Sequence, residues 1–167
     1  TAKSLAAGMP LAAVTGRADI MDAPHPGGLG GTYSGNPLSC VAAVEAIQMI
    51  RQPEFLDRAT AIGARLRQHL LDLQAEIALI GDVRGVGPML VMELVKDRET
   101  KTPAVDETMQ IAAECLKRGL IAIRSGLYSN CIRFLPPLNI TDEEVDEAMS
   151  VIAEAVRVVE SARLAKA

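Results

Sequence analysis

From Glu54 to the C-terminus the apolar residues change their spacing several times, and that rhythm limits the folds open to the chain. Phe55, Ala59, Ile62, Leu66, Leu70 and Leu73 recur at three- and four-residue intervals, the stripe of a helix with one buried face. Ile80 to Val86 and Met89 to Val95 flank Gly87-Pro88 and hold the β-prone Val83 and Leu90-Val91-Met92, which predicts two strands. A polar loop over Asp97 to Pro103 leads to a helix over about Val105 to Arg118, which Gly119 ends. Leu120-Ile121-Ala122-Ile123 and Cys131 to Leu135 predict two more strands around a turn over Ser125 to Asn130, and Pro136-Pro137 closes the second. Thr141 and Glu144 have the spacing of a capping box, ahead of a buried stripe at Val145, Met149, Ile152, Val156 and Val159. Helix, two strands, helix, two strands, helix is the pattern of a small α+β layer: a mainly antiparallel sheet covered by helices.

The first fifty residues follow no such pattern and do not complete a fold; they read as the tail of a larger α/β domain. Gly27 to Gly35 holds five of the thirteen glycines and too few apolar side chains to pack, so it is a loop. Asn36-Pro37 then opens a helix, with Asn36 as N-cap and Pro37 at the first helical position, where a missing N–H costs nothing. Val41, Val44, Ile47 and Ile50 follow at helical spacing, and Ala42, Ala43 and Ala46 form a face suited to close packing. Gln52-Pro53 breaks the helix and predicts a boundary, with domains over 1–53 and 54–167. A chain that opens on Thr1 rather than Met reads as part of a longer polypeptide.

A net charge of −4 without a Lys/Arg run excludes an electrostatic footprint for nucleic acid. No stretch is apolar for eighteen residues, so no membrane partner is expected. Leu5 to Val14 loosely has the look of a secretory signal, but Gly8 and Pro10 would break its helix. Cys40, Cys115 and Cys131 are odd in number and widely spaced, giving neither a disulfide framework nor a metal site, and they point to a reducing cytoplasmic setting.

Three features could carry chemistry, and each has a plainer reading. Lys3 is either an ordinary surface lysine or an amine in a poorly hydrated pocket made by Ala2, Leu5, Ala6 and Ala7, where desolvation favours the neutral form that carbonyl chemistry needs. The glycine loop is either a flexible connection or an anion cradle beside a helix start, with Thr32 adding a hydroxyl. No Lys-Ser or Lys-Thr follows it, as a nucleotide P-loop requires, and no strand precedes it with dinucleotide spacing. Arg133, sharing a strand face with Cys131 and Leu135, is either an edge residue reaching water or a carboxylate clamp, and Arg124 is a second cation near a strand end.

Together these features are more specific than apart. Thr1-Ala2-Lys3-Ser4-Leu5-Ala6-Ala7-Gly8-Met9-Pro10-Leu11 resembles the cofactor-lysine segment of the class III (subgroup II) aminotransferases, which have the type I fold of pyridoxal-phosphate enzymes. Gly27-Gly28-Leu29-Gly30-Gly31-Thr32-Tyr33-Ser34-Gly35-Asn36-Pro37-Leu38 is similar to that family's phosphate loop. Val83-Arg84-Gly85-Val86-Gly87 and Ile132-Arg133-Phe134-Leu135-Pro136-Pro137-Leu138 resemble parts of its C-terminal domain. The resemblance implies pyridoxal 5'-phosphate as cofactor, with Lys3 holding it and shuttling a proton. It further implies that Thr32 donates to the cofactor phosphate of the neighbouring subunit, so that the enzyme is a homodimer or a dimer of dimers, and that Arg133 binds a substrate carboxylate. The substrates implied are an amino acid and a 2-oxo acid, with an ω-amino acid such as 4-aminobutyrate as donor and 2-oxoglutarate as acceptor. Ornithine or acetylornithine as donor, an aminomutase reaction, and an inert folding or dimerisation module stay open. The family's acidic partner for the pyridine nitrogen and its ring-stacking aromatic precede Thr1, so the chain by itself is expected to be inactive.

Overall fold

The computed structural model describes residues 1–165, so the last two residues of the expected second domain lie outside the described residues. The chain forms two compact units that divide between Leu56 and Asp57.

In the first unit, a 3-10 turn over Lys3–Ala6 and a short helix α1 (Ala18–Met21) precede the helix α2 (Pro37–Ile50). Asn36 caps α2 as its sequence predicts: its side-chain oxygen accepts from the backbone N–H of Leu38 at 3.0 Å and of Ser39 at 3.4 Å. The small residues Ser39, Ala43 and Ala46 are the buried ones, and α2 packs on the 3-10 turn, whose Ala6 is fully buried. The bulkier stripe at Val41, Val44, Ile47 and Ile50 is exposed. Small side chains let two backbones approach closely, which the bulkier face does not allow.

The second unit is built on α3 (Pro53–Glu76), β1 (Ile80–Val86), β2 (Met89–Leu94), α4 (Val105–Lys117), β3 (Ile123–Ser125), β4 (Cys131–Phe134) and α5 (Asp142–Leu164), and the division between units falls within α3. The strands form one sheet in the order β1-β2-β4-β3, and each neighbouring pair is antiparallel. One face of the sheet contributes Leu90, Met92, Leu94 and Ile132 to the core. Ile62, Leu66, Leu70 and Leu73 of α3, Ile111 and Cys115 of α4, and Val145, Met149, Ile152, Val156 and Val159 of α5 complete it. Burial also raises the Cys115 thiol to about 11, so it stays protonated and behaves as a small hydrophobe.

Three local devices hold this layer. Thr141 and Glu144 form the complete capping box, the hydroxyl accepting from the Glu144 N–H and the carboxylate from the Thr141 N–H. Gly63 of α3 sits against the β1–β2 turn so closely that an added Cβ would lie 2.3 Å from the Gly87 carbonyl carbon. No glycine ends α3; instead the Arg98 guanidinium, from the loop after β2, donates to the carbonyls of Gln74 at 2.7 Å, Ile77 at 2.8 Å and Ile80 at 3.1 Å.

The third strand is displaced from its expected place. Leu120 to Ala122 precede β3, which runs from Ile123 to Ser125. Gly119, at φ 84°, ends α4 in a Schellman motif in which the Gly119 N–H reaches the Leu116 carbonyl and the Leu120 N–H reaches that of Cys115. That closure draws Leu120 into the helix terminus, and the ladder starts later. The fourth strand stops at Phe134, leaving Leu135 outside it.

Candidate functional site

Lys3 opens the 3-10 turn with φ 61°, in the left-handed region that a lysine rarely enters. Ala2 before it is extended, and Ala7 closes the turn in the same left-handed region at φ 48°. The Ala13 N–H donates to the Thr1 carbonyl at 2.8 Å, which ties together the two flanks of the turn. Such conformations cost about 1–3 kcal/mol each and persist where surrounding structure imposes them. The Lys3 side chain is exposed, and among the described residues its amine has no hydrogen-bond or ion-pair partner.

Thr32 lies in a turn in which the Ser34 N–H donates to the Gly31 carbonyl at 2.9 Å. Gly27 and Gly35, at φ 76° and 67°, permit the loop's course to the start of α2. Thr32 is exposed and its hydroxyl has no partner among the described residues. Three residues inside α2's cap, the Ser39 hydroxyl is buried and also unpartnered, a feature that the sequence alone does not signal.

Arg133 belongs to the second unit, on the sheet face opposite the helices. It stands across from Val91 on β2 and Ile123 on β3, in one row that continues to Arg84 on β1. The next row on this face, two residues along the strands, is Asp82, Glu93, Cys131 and Ser125. Arg133 is exposed and no carboxylate among the described residues pairs with it. Arg124 pairs across from Ile132, a core residue, so it projects from the other face and does not share a surface with Arg133.

Both acids of the second row go to Arg84. Its guanidinium lies 2.7 Å from Asp82 and 2.5 Å from Glu93. These hydrogen bonds, Asp82's first and Glu93's second, raise the Arg84 pKa further. The Asn130 amide donates to Glu93 at 3.4 Å and to the Leu94 carbonyl at 2.9 Å, and burial pushes the Cys131 thiol up. Sequence reasoning passed over this cluster, although writing the β1–β2 hairpin in register would have placed Asp82, Arg84 and Glu93 on one face; that Arg133 joins them depends on β4 lying beside β2. Among the described residues no group of His, Cys, Asp and Glu could hold a metal ion, and no helix is long and apolar enough to cross a membrane.

The family model for class-III aminotransferases matches residues 1–156. The chain is 44% identical over 153 residues to the 4-aminobutyrate aminotransferase GabT of Escherichia coli, covering 92% of this chain and 36% of that protein. It is 41% identical over 153 residues to the 5-aminovalerate aminotransferase DavT of Pseudomonas aeruginosa, with the same coverage of each. Among solved structures, the ornithine aminotransferase of Toxoplasma gondii, described with partial occupancy of PLP at its active site, matches with a TM-score of 0.80 and 34% identity. That match covers 97% of this chain and 37% of the other. The chain thus spans little more than a third of the length of the curated relatives it matches.

Proposed function

The chain belongs to the class-III aminotransferases, and on that premise we propose that the protein carrying it moves an amino group from an ω-amino acid of the 4-aminobutyrate type to 2-oxoglutarate, using pyridoxal 5'-phosphate. The observation that carries this reading is the unpaired Arg133 on an open sheet face that already holds two carboxylates. A cation left without a partner, beside acids that a second arginine already holds, is suited to a carboxylate that arrives from outside, and the planar guanidinium takes one in a bidentate grip. Both the amino donor and the 2-oxo acid acceptor bring a carboxylate.

The residues present suit the cofactor. Lys3 offers a free primary amine to an aldehyde, and Thr32 offers a free hydroxyl to a phosphate, beside a loop whose glycines leave its backbone open. When bound, pyridoxal phosphate supplies an electron sink for the substrate's carbon skeleton. Lys3 would hold the cofactor through Nζ and would carry a proton between donor and acceptor atoms. Thr32 would donate its hydroxyl to the phosphate of the neighbouring subunit's cofactor in a homodimer or dimer of dimers. The first unit is then the end of the cofactor-binding domain (1–53 in the sequence), and residues 54–167 are the small C-terminal domain that presents Arg133. GabT and DavT, whose names give donors of four and five carbons, favour an ω-amino acid.

The test is a donor panel of 4-aminobutyrate, 5-aminovalerate and ornithine with 2-oxoglutarate, run on the holoenzyme and on Arg133→Ala. The expected outcome is turnover with an ω-amino acid and a loss of roughly 2–5 kcal/mol in kcat/KM for both substrates in the variant. Unchanged kcat/KM in Arg133→Ala would overturn the role of that residue. Absence of any spectral change on adding pyridoxal phosphate would leave only a folding or dimerisation role.

A further inference from the structure

The four charged residues on the open face of the sheet form a lattice, and Glu93 occupies a choice point within it. On β2, Glu93 lies two residues along from Val91 on the same face, and Val91 stands across from Arg84 on one side and Arg133 on the other. Glu93 is therefore a diagonal neighbour of both arginines, at Cβ separations of about 7–8 Å, within reach of long side chains. It pairs with Arg84 at 2.5 Å and leaves Arg133 alone. Asp82, two residues before Arg84 on the same strand and face, draws the same guanidinium toward the acidic row at 2.7 Å. Asn130 fixes the other Glu93 oxygen from the far side.

We propose that Arg84 is a positioning residue for the carboxylate site: by occupying Glu93, it keeps this internal acid off Arg133. The inference rests on the carboxylate role proposed for Arg133 and adds what keeps that residue available. Without Arg84, Glu93 would be the nearest anion on the face and would compete with substrate for the same guanidinium. Such competition reduces the fraction of enzyme able to bind and raises KM by the factor 1 + K, where K is the ratio of Glu93-paired to free Arg133. It leaves kcat unchanged, because the carboxylate of bound substrate has already displaced the rival.

Two substitutions that break the same ion pair separate this role from simple bracing of the sheet. In the holoenzyme, Arg84→Met should raise KM for both the amino donor and 2-oxoglutarate by roughly two- to sixfold, as a partly exposed ion pair would, with kcat retained. Glu93→Gln should not raise KM, because it removes the competitor. Arg84→Met/Glu93→Gln should restore the parental KM. A bracing role predicts similar losses in both single variants and a double variant no better than either. Equal KM in Arg84→Met and the parent, or no recovery in the double variant, would overturn the proposal. If Arg84→Met does not fold, Arg84→Lys decides, since it keeps the charge but grips Glu93 less well: a smaller KM rise, cancelled by Glu93→Gln, supports the proposal and an unchanged KM refutes it. If Arg133→Ala itself leaves KM unchanged, the fault lies with the carboxylate role of Arg133 and the inference falls with it.

Discussion

Arg65 on α3 lies against Asp146 on α5, its Nε donating to one carboxylate oxygen at 2.7 Å and its terminal nitrogen meeting the other. His69, one turn further along α3, reaches the same carboxylate at 2.9 Å, and Arg58 and Arg65 both contact Asp142. The two long helices are thus joined by side chains as well as by their apolar stripes. Arg65 first and His69 second hold the Asp146 carboxyl well below the usual carboxylate range.

The sign of the resulting pH dependence follows. A depressed folded-state pKa contributes stability that is complete above the unfolded value of about 3.9 and is lost as pH falls through the lower folded value. Thermal unfolding of the chain should therefore show a decline below about pH 4 that Asp146→Asn flattens. At pH 7 the variant should be the less stable of the two. An identical acid limb in parent and variant would show that Asp146 contributes no such linkage.

Leu66 and Ile152 are 4% and 2% exposed in a core made of aliphatic side chains. With aromatics at 2% of the sequence, few large rings are available to collapse into a vacated volume. Leu66→Ala or Ile152→Ala should lower unfolding free energy by roughly 2–5 kcal/mol, read from denaturant midpoints at unchanged m-value.

Gly63→Ala sets two effects against each other. Alanine favours a helix interior over glycine by about 1 kcal/mol, but the new methyl would lie 2.3 Å from the Gly87 carbonyl carbon, far inside van der Waals contact. Backbone cannot move aside as a flexible side chain can, so the substitution should destabilise by roughly 1–3 kcal/mol, despite the helix preference. A gain in melting temperature would show that the β1–β2 turn shifts freely.

Thr32→Val keeps the shape of the side chain and removes its hydroxyl. In the holoenzyme it should weaken pyridoxal phosphate affinity by roughly 1–3 kcal/mol while the melting temperature of cofactor-free protein stays unchanged. Equal affinity in variant and parent would remove Thr32 from the phosphate site. Lys3→Ala, by contrast, should abolish covalent retention of the cofactor altogether.

The elements with local signals were the legible ones. Asn36-Pro37 and Thr141-x-x-Glu144 state where helices begin, because a cap is a contact between near neighbours in sequence. The α3 and α5 stripes were legible for a related reason, since one helix face meets one core. The start of β3 was not: Leu120 to Ile123 have strand-like residues, yet the Gly119 closure claims the first of them for the helix end. Lys3, Thr32 and Arg133 stood out by residue type and setting, whereas the place of Arg133 beside the Arg84–Glu93 pair depends on β4 lying next to β2, which no single segment encodes. The buried hydroxyl of Ser39 was invisible for the same reason, as α2 is covered by a segment distant in sequence, the 3-10 turn over Lys3–Ala6.

Arg98 has a consequence for how the second unit comes apart. Three carbonyls at the end of α3 and the start of β1 depend on a guanidinium that arrives only when the loop after β2 is in place. Only the Ile77 carbonyl has a local donor as well, the Ile80 N–H at 3.2 Å, so the last turn of α3 loses much of its capping when the hairpin opens. In hydrogen exchange, the amides of that turn should report the same opening free energy as those of β1 and β2, rather than the gradual fraying of an ordinary helix end. The terminus of α3 and the hairpin should then open as a single cooperative segment of the chain, joined through Arg98 and through the Gln74 amide that donates to the Gly81 carbonyl at 3.1 Å.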